Sequence, residues 1–182
     1  MDAAAREFIS GQRLFFVATA PLSAEGLINL SPKGLDTLRI LGPSRVAYLD
    51  YTGSGVETIA HVRENGRIVI MFCSFGEKPN ILRLHGRGRA VDAGSAEFAG
   101  LLPEFGWTPA HAERAGIRAV IVMEVQRVAD SCGFGVPRYE FVADRDLMDA
   151  WAAKKGADGL RDYRKLKNTK SLDGLPGLSA PA

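Results

Sequence analysis

Lys33 in "LSPKGL" and the Gly53-Ser54-Gly55 turn of "TGSGVET" are the two places in this chain whose residue types suit an anion. Pro32 cannot donate to a sheet ladder and Gly34 releases the chain just beyond, so Lys33 is held at a strand end with its ammonium free to project over a cavity. In "TGSGVET", Gly53 and Gly55 permit close backbone approach. The N–H groups opening the following helix carry roughly half a positive charge, so a phosphate suits that position with Ser54 and Thr58 as donors. The same residues satisfy a second pattern. Ser54 followed three residues later by Glu57 is a capping box, in which hydroxyl and carboxylate each take a free helical N–H. Both readings stand on the sequence alone. If the strand Asn29 to Pro32 lies beside the strand Tyr48 to Asp50, Lys33 and the helix start converge on one phosphate.

Other chemistry is poorly supported. His61 falls in a helix, His85 on a strand and His111 in a helical segment, none at ligand spacing from a second His or Cys, so no metal site is expected. Ser54 is not in a nucleophile elbow, and no catalytic residue is assigned. "GRGRAV" lacks the third glycine of a dinucleotide fingerprint. "SCGFGVPRYEF" brings aromatic rings close to backbone, which suits either the cover of a flat ring system or the plug of a barrel end. The two cysteines, Cys73 in an apolar run and Cys132 beside Gly133, allow one disulfide, but a reduced pair is the expectation for a cytoplasmic chain.

The elements that must position these groups follow from period and punctuation. A short helix over residues 3–12 precedes four short strands, "RLFFVATA", "LINLS", "TLRIL" and "RVAYLD", separated by Pro21, "SAEG" and Gly42-Pro43-Ser44. "VETIAHVREN" reads as a helix stopped at Gly66. "RIVIMFCSF" is apolar enough for a strand covered on both faces, and "NILRLHGRGRAVD" alternates, with Gly86 and Gly88 suited to a bulge. Helical segments at 95–102 and 109–115 lead to the long strand "IRAVIVMEVQRVADS". Beyond Asp144 the chain turns helical through Trp151, and "DGLRDYRKLKN" forms a further polar helix. Strands in runs, without repeated βαβ units, favour an antiparallel barrel, closed or nearly so, with helices at its ends.

At 182 residues, 46% hydrophobic and 24% charged, the chain suits one domain with an appendage. The expected division is a barrel over 1–143, a helical extension over 144–170 and a Gly/Pro-rich tail over 171–182 that orders only against something else. No apolar run is long enough to span a membrane, and the N-terminal stretch lacks a secretory apolar region, so a cytoplasmic location is expected. The net charge of +2 is uneven. Seven Lys/Arg against two Asp fall between Trp151 and Lys170, but no aromatics are interleaved for stacking, so the segment reads as a solvated face and nucleic acid is not expected.

Together, "INLSPKG", "YLDYTGSGVETIAHVRENGRIVIMF", "NILRLHGRGRAV" and "SCGFGVP" resemble the pyridoxamine 5′-phosphate oxidase-like family of flavin-binding split barrels, over roughly residues 8 to 142. The resemblance implies a mainly β (α+β) fold: a six-stranded antiparallel split β-barrel with flanking helices, forming a homodimer with FMN in a groove at its interface. It further implies that Asn29, Leu30, Ser31 and Pro32 run along the flavin and that Lys33 pairs with the FMN phosphate. Tyr48, Leu49 and Asp50 would line the same groove, with Gly53, Ser54 and Thr58 at the phosphate. Asn80 and Arg83, and the loop Gly133 to Tyr139, would approach the ring from the other subunit. Oxidases of pyridoxamine phosphate carry an Arg-Lys pair where this chain has Thr58 and Ile59, and their arginine-rich C-terminal segment has no clear counterpart here. The resemblance therefore implies flavin binding without naming a substrate. An FMN-dependent oxidoreductase leads, with a non-catalytic flavin-binding or sensing module, or a related barrel holding F420 or haem, as alternatives.

Overall fold

The computed structural model describes residues 1–179. Seven strands form one antiparallel sheet: β1 (Phe15–Thr19), β2 (Asn29–Lys33), β3 (Leu38–Gly42), β4 (Arg45–Tyr51), β5 (Arg67–Cys73), β6 (Ile81–Asp92) and β7 (Ile117–Ser131). Their order is β2-β1-β5-β6-β7-β4-β3. The helices are α1 (Ala3–Ser10), α2 (Glu57–Glu64), α3 (Ala96–Leu101), α4 (Pro109–Arg114) and α5 (Leu147–Lys167).

The sheet is open, with β2 and β3 as its two edges, and the expected count of six strands is corrected to seven. Each of the four short strands read before α2 pairs with a neighbour, and three more follow, of which β6 and β7 are the longest. Connectivity forces the sheet to curl. Laid flat, seven strands would be about 29 Å wide, yet β2 and β3 are joined only by residues 34–37, a connection that reaches about 18 Å at most. An ion pair shows the curl directly. Lys33 on edge strand β2 meets Asp50 on β4, next to the opposite edge, at 3.1 Å. Pro32 is tolerated because β2 pairs only with β1 and has no neighbour on its other side.

Two cores result. The larger lies within the curl, where Val17, Tyr48, Ile70, Leu84 and Ile121 meet Ile59 and Val62 of α2. The second lies outside β4 and β7, where Ala47, Leu49, Val120 and Val122 meet Phe98, Leu102 and Phe105. Alternate residues of β4 and β7 thus serve different cores, so these two strands are the ones buried on both faces. The expectation of two covered faces for β5 is corrected: Ile68, Ile70 and Phe72 are buried, whereas Val69 and Met71 between them are only half-buried. What decides is the layer of α3 and α4 outside the sheet, which covers β4 and β7.

The register between β6 and β7 slips at His85 and Gly86, but the extra residue is Gln126 of β7, so the bulge expected on β6 at Gly86 lies on the strand opposite it. A Cβ at Gly86 would lie 2.0 Å from the Glu124 carbonyl oxygen, so only glycine fits. The two C-terminal helices run on as α5 with a break at Gly156, whose φ of 65° is left-handed. The segment after α5 folds back on the domain: Leu178 N–H donates to Asn168 O at 2.7 Å and Gly177 N–H to Thr169 O at 2.8 Å. Cys73 is buried, Cys132 exposed, and neither is bonded. Among the described residues no helix is long and apolar enough to cross a membrane.

Candidate functional site

The curl opens a cleft of about 300 Å³ beside the end of β2. Asn29, Ser31, Pro32 and Lys33 enter it from β2 and Leu49 from β4, while Gly53 and Thr58 come from the turn and first helical residues that follow. The two anion-suited stretches of the sequence therefore share one hollow.

At its floor is a charged trio. Lys33 Nζ donates to Asp50 Oδ1 at 3.1 Å, and Arg118 Nε donates to Asp50 Oδ2 at 2.8 Å. Asp50 is 1% exposed and Arg118 6%. Burial alone would raise the Asp50 carboxyl, but Arg118 and then Lys33 outweigh it and hold it below its ordinary value of 3.8. Two cations against one carboxylate leave the trio with one positive charge, while Glu57 brings one negative charge to the same lining. Arg118 Nη1 also donates to the Gly53 carbonyl at 3.4 Å, and Asn168 Nδ2 donates to the same oxygen at 2.8 Å, so the turn is clamped from β7 and from the end of α5.

Neutral donors line the opposite wall. Asn29 Nδ2 donates to Thr58 Oγ1 at 3.0 Å and to Thr19 Oγ1 at 3.1 Å, and Ser31 Oγ to Asn29 Oδ1 at 3.0 Å. These bonds tie β2 to α2 across the cleft. The C-terminal segment braces both sides, since Glu57 accepts from Leu172 N–H at 3.2 Å and Asp173 Oδ2 accepts from Leu27 N–H at 3.1 Å.

That brace displaces the expected capping box. The cap position of α2 is Val56, with no side-chain bond to the helix start, and Glu57 faces Leu172 instead of its own helix. Ser54 is exposed on the turn and does not line the cleft. Other expected residues also stand apart from it. Leu30 points outward, 64% exposed, because β2 alternates and its neighbours Asn29 and Ser31 face in. Tyr48 is wholly buried, its phenol pushed well above the usual range by burial and by Asp50, so it is a neutral core residue. Asp50 acts as the counter-ion beneath Lys33. Asn80 and Arg83 are away from this cleft; Arg83 Nη1 donates to Ser131 Oγ at 3.0 Å.

Arg118, Tyr51 and Met148 line the cleft without having been singled out from the sequence. Tyr51 is packed edge-on to Trp107, with ring centroids 6.5 Å apart, and its phenol is pushed up to about 12 by burial and by Asp149. His61 is buried, with Nδ1 3.0 Å from Thr19 Oγ1, and His111 stacks on Trp107 at 4.2 Å. No group of three His, Cys, Asp or Glu among the described residues is placed to hold a metal.

The chain matches the family model described as pyridoxamine 5′-phosphate oxidase over residues 1–132. It is 39% identical to the pyridoxamine 5′-phosphate oxidase family protein ustO of Aspergillus flavus, over 95% of this chain and 74% of that protein. Two solved structures share the fold. HupZ of Group A Streptococcus superposes with a TM-score of 0.55 at 22% identity, covering 72% of this chain and 94% of the other. An FMN-binding protein from Syntrophomonas wolfei superposes with a TM-score of 0.50 at 14% identity, covering 69% and 82%. The family model stops before α5, whereas the Aspergillus alignment takes in most of it.

Proposed function

This chain belongs to the pyridoxamine 5′-phosphate oxidase family, and on that premise we propose that the Lys33 cleft is one half of a flavin mononucleotide site in a homodimeric, cytoplasmic, FMN-dependent oxidoreductase of split-barrel type. The observation that carries the reading is Lys33, held over the cleft by Asp50 and backed by Arg118, with the polar residues Asn29, Ser31 and Thr58 beside it and Glu57 the one further charge on the lining. A phosphate there gains a charge-assisted bond from Lys33 and meets the field of Arg118. Thr58, whose hydroxyl accepts from Asn29, keeps its own proton as a further donor, while Asn29 and Ser31 have theirs committed to Thr19, Thr58 and Asn29 and position it. Of the two hydroxyls expected at the phosphate, Thr58 is the one on the cleft. Pro32 and Leu49 offer an apolar wall. These residue types fit FMN, with Glu57 the one lining group of the wrong sign.

A cleft of about 300 Å³ is at the small end for a ligand of this class. One chain thus encloses part of the nucleotide, which supports a second copy completing the site. The outer side of β2 and its approach favour the same arrangement: Leu27, Ile28 and Leu30 are exposed together on a sheet edge, Ile28 at 78%. Asn80 and Arg83 of a second copy would then meet the ring.

Bound FMN would supply the electron-carrying ring. The chain's own work is to hold the phosphate with Lys33, keep the turn at Gly53 fixed through Arg118 and Asn168, and exclude water from the apolar wall. With Thr58 and Ile59 where an Arg-Lys pair would stand, pyridoxamine phosphate is not the proposed substrate. Freshly purified protein is expected to be yellow, to release FMN on denaturation and to bleach under NADH or NADPH without oxygen. A colourless protein that takes up no added FMN overturns the reading.

A further inference from the structure

A second cavity, of about 490 Å³, lies between α5 and the start of β7. Arg161, Arg164 and Lys165 reach it from one face of α5, at i, i+3 and i+4, and Arg118 lies behind them. Arg164 is the informative member. Its Nε donates to Thr52 Oγ1 at 2.7 Å and its Nη2 to Ile117 O at 3.3 Å, both neutral acceptors. Arg161 pairs with Asp158 at 2.8 Å on the exposed side of α5, whereas among the described residues neither Arg164 nor Lys165 forms an ion pair.

A partly buried guanidinium beside a second one, without its own carboxylate, is costly. Burial and the nearby Arg118 both lower the pKa of Arg164, although Glu113, on the same cavity, opposes them. Asp92 lines the cavity as well, but its charge is already engaged. Asp92 pairs with Arg63 and leaves its Oδ1 buried without a hydrogen-bond partner. Leu160 and Leu178 provide apolar wall between these polar ends.

We propose that this cavity binds a small organic oxyanion, a phosphate or a carboxylate. The anionic group sits against Arg161, Arg164 and Lys165, where planar guanidinium forks suit oxygen pairs. Arg118 lines both cavities, and the Arg164–Thr52 bond joins their walls, since Thr52 lines the Lys33 cleft. The site is nonetheless separate from that cleft, and its occupancy does not rest on flavin binding.

Ribose 5-phosphate and malate, titrated separately into the protein as purified by calorimetry in 0.1 M KCl, distinguish the two headgroups. Saturable binding of either one that the double variant below weakens supports the site and identifies its class, whereas binding that the double variant leaves intact belongs to the Lys33 cleft and overturns the proposal. The double variant Arg161→Gln/Lys165→Gln, at exposed positions, is expected to weaken that binding about tenfold or more. Lys154→Gln, which removes a charge from α5 away from the cavity, is expected to leave it unchanged. No binding of either probe overturns the proposal, and so does an equal loss in Lys154→Gln, which would mark general attraction to a basic helix.

Discussion

Lys33 and Arg164 stand on two adjoining cavities with Arg118 between them, yet their charges are managed in opposite ways. Lys33 has a buried carboxylate at 3.1 Å, one that also serves Arg118. Arg164 has a hydroxyl and a carbonyl. The first arrangement makes the cation part of the framework, since removing Asp50 would strand two charges. The second leaves a cation whose removal costs hydrogen bonds and little else. A shared counter-ion therefore gives rigidity at the cleft, and its absence gives the second cavity an appetite for an anion.

Asp50→Asn should have the largest effect. It leaves Lys33 and Arg118 without their charge partner and is expected to cost about 3–5 kcal/mol in urea unfolding at neutral pH. The pH dependence has a definite sign. Because the folded carboxyl is held below its ordinary value of 3.8, its contribution is complete above that pH and is lost as pH falls through the lowered value. The variant should lack that acid-side loss, and an unchanged acid limb would break the contrast. Arg164→Met comes next, at about 1–2 kcal/mol, the scale of the bonds to Thr52 and Ile117. A loss as large as that of Asp50→Asn would mean that Arg164 is framework after all. Glu57→Gln should be smallest. It keeps the acceptor for Leu172 and removes a like charge from the phosphate side, so FMN affinity should rise about twofold to fivefold in a titration.

Much of the chain order was legible because punctuation is local. Pro21, Gly42-Pro43 and Gly66 divide strands and helix wherever the tertiary structure puts them, whereas the bulge read at Gly86 belongs to Gln126 of β7, and Gly86 is the residue that lets the two strands close over it. Lys33 was legible for the same reason, held between Pro32 and Gly34. What escaped depends on distant chain. Whether β5 or β4 is buried on both faces is decided by α3 and α4, and the apolar runs of the two strands do not distinguish them. The seventh strand was present in the reading of the elements but not in the family likeness. Ser54 and Glu57 have the spacing of a capping box, but Glu57 is drawn off by Leu172, more than a hundred residues away. Arg118 looks like a charge opening an apolar strand, and only the curl that brings β4 and β2 together makes it a partner of the Lys33 site. The tail's Gly/Pro composition does not say where it settles: residues 171–179 are held by Glu57 of α2 and by Leu27 of the same chain, and the rest of the tail read at 171–182 lies outside the described residues.

The central claim is that the Lys33 cleft grips the phosphate of a flavin nucleotide, and paired titrations of FMN and riboflavin into flavin-free protein test it most directly. The two ligands differ only in the phosphate, so FMN should bind about 10- to 150-fold tighter, the worth of one or two charge-assisted hydrogen bonds. Lys33→Ala should erase most of that difference while leaving riboflavin binding alone. Equal affinities for the two flavins in the unaltered protein would contradict the account.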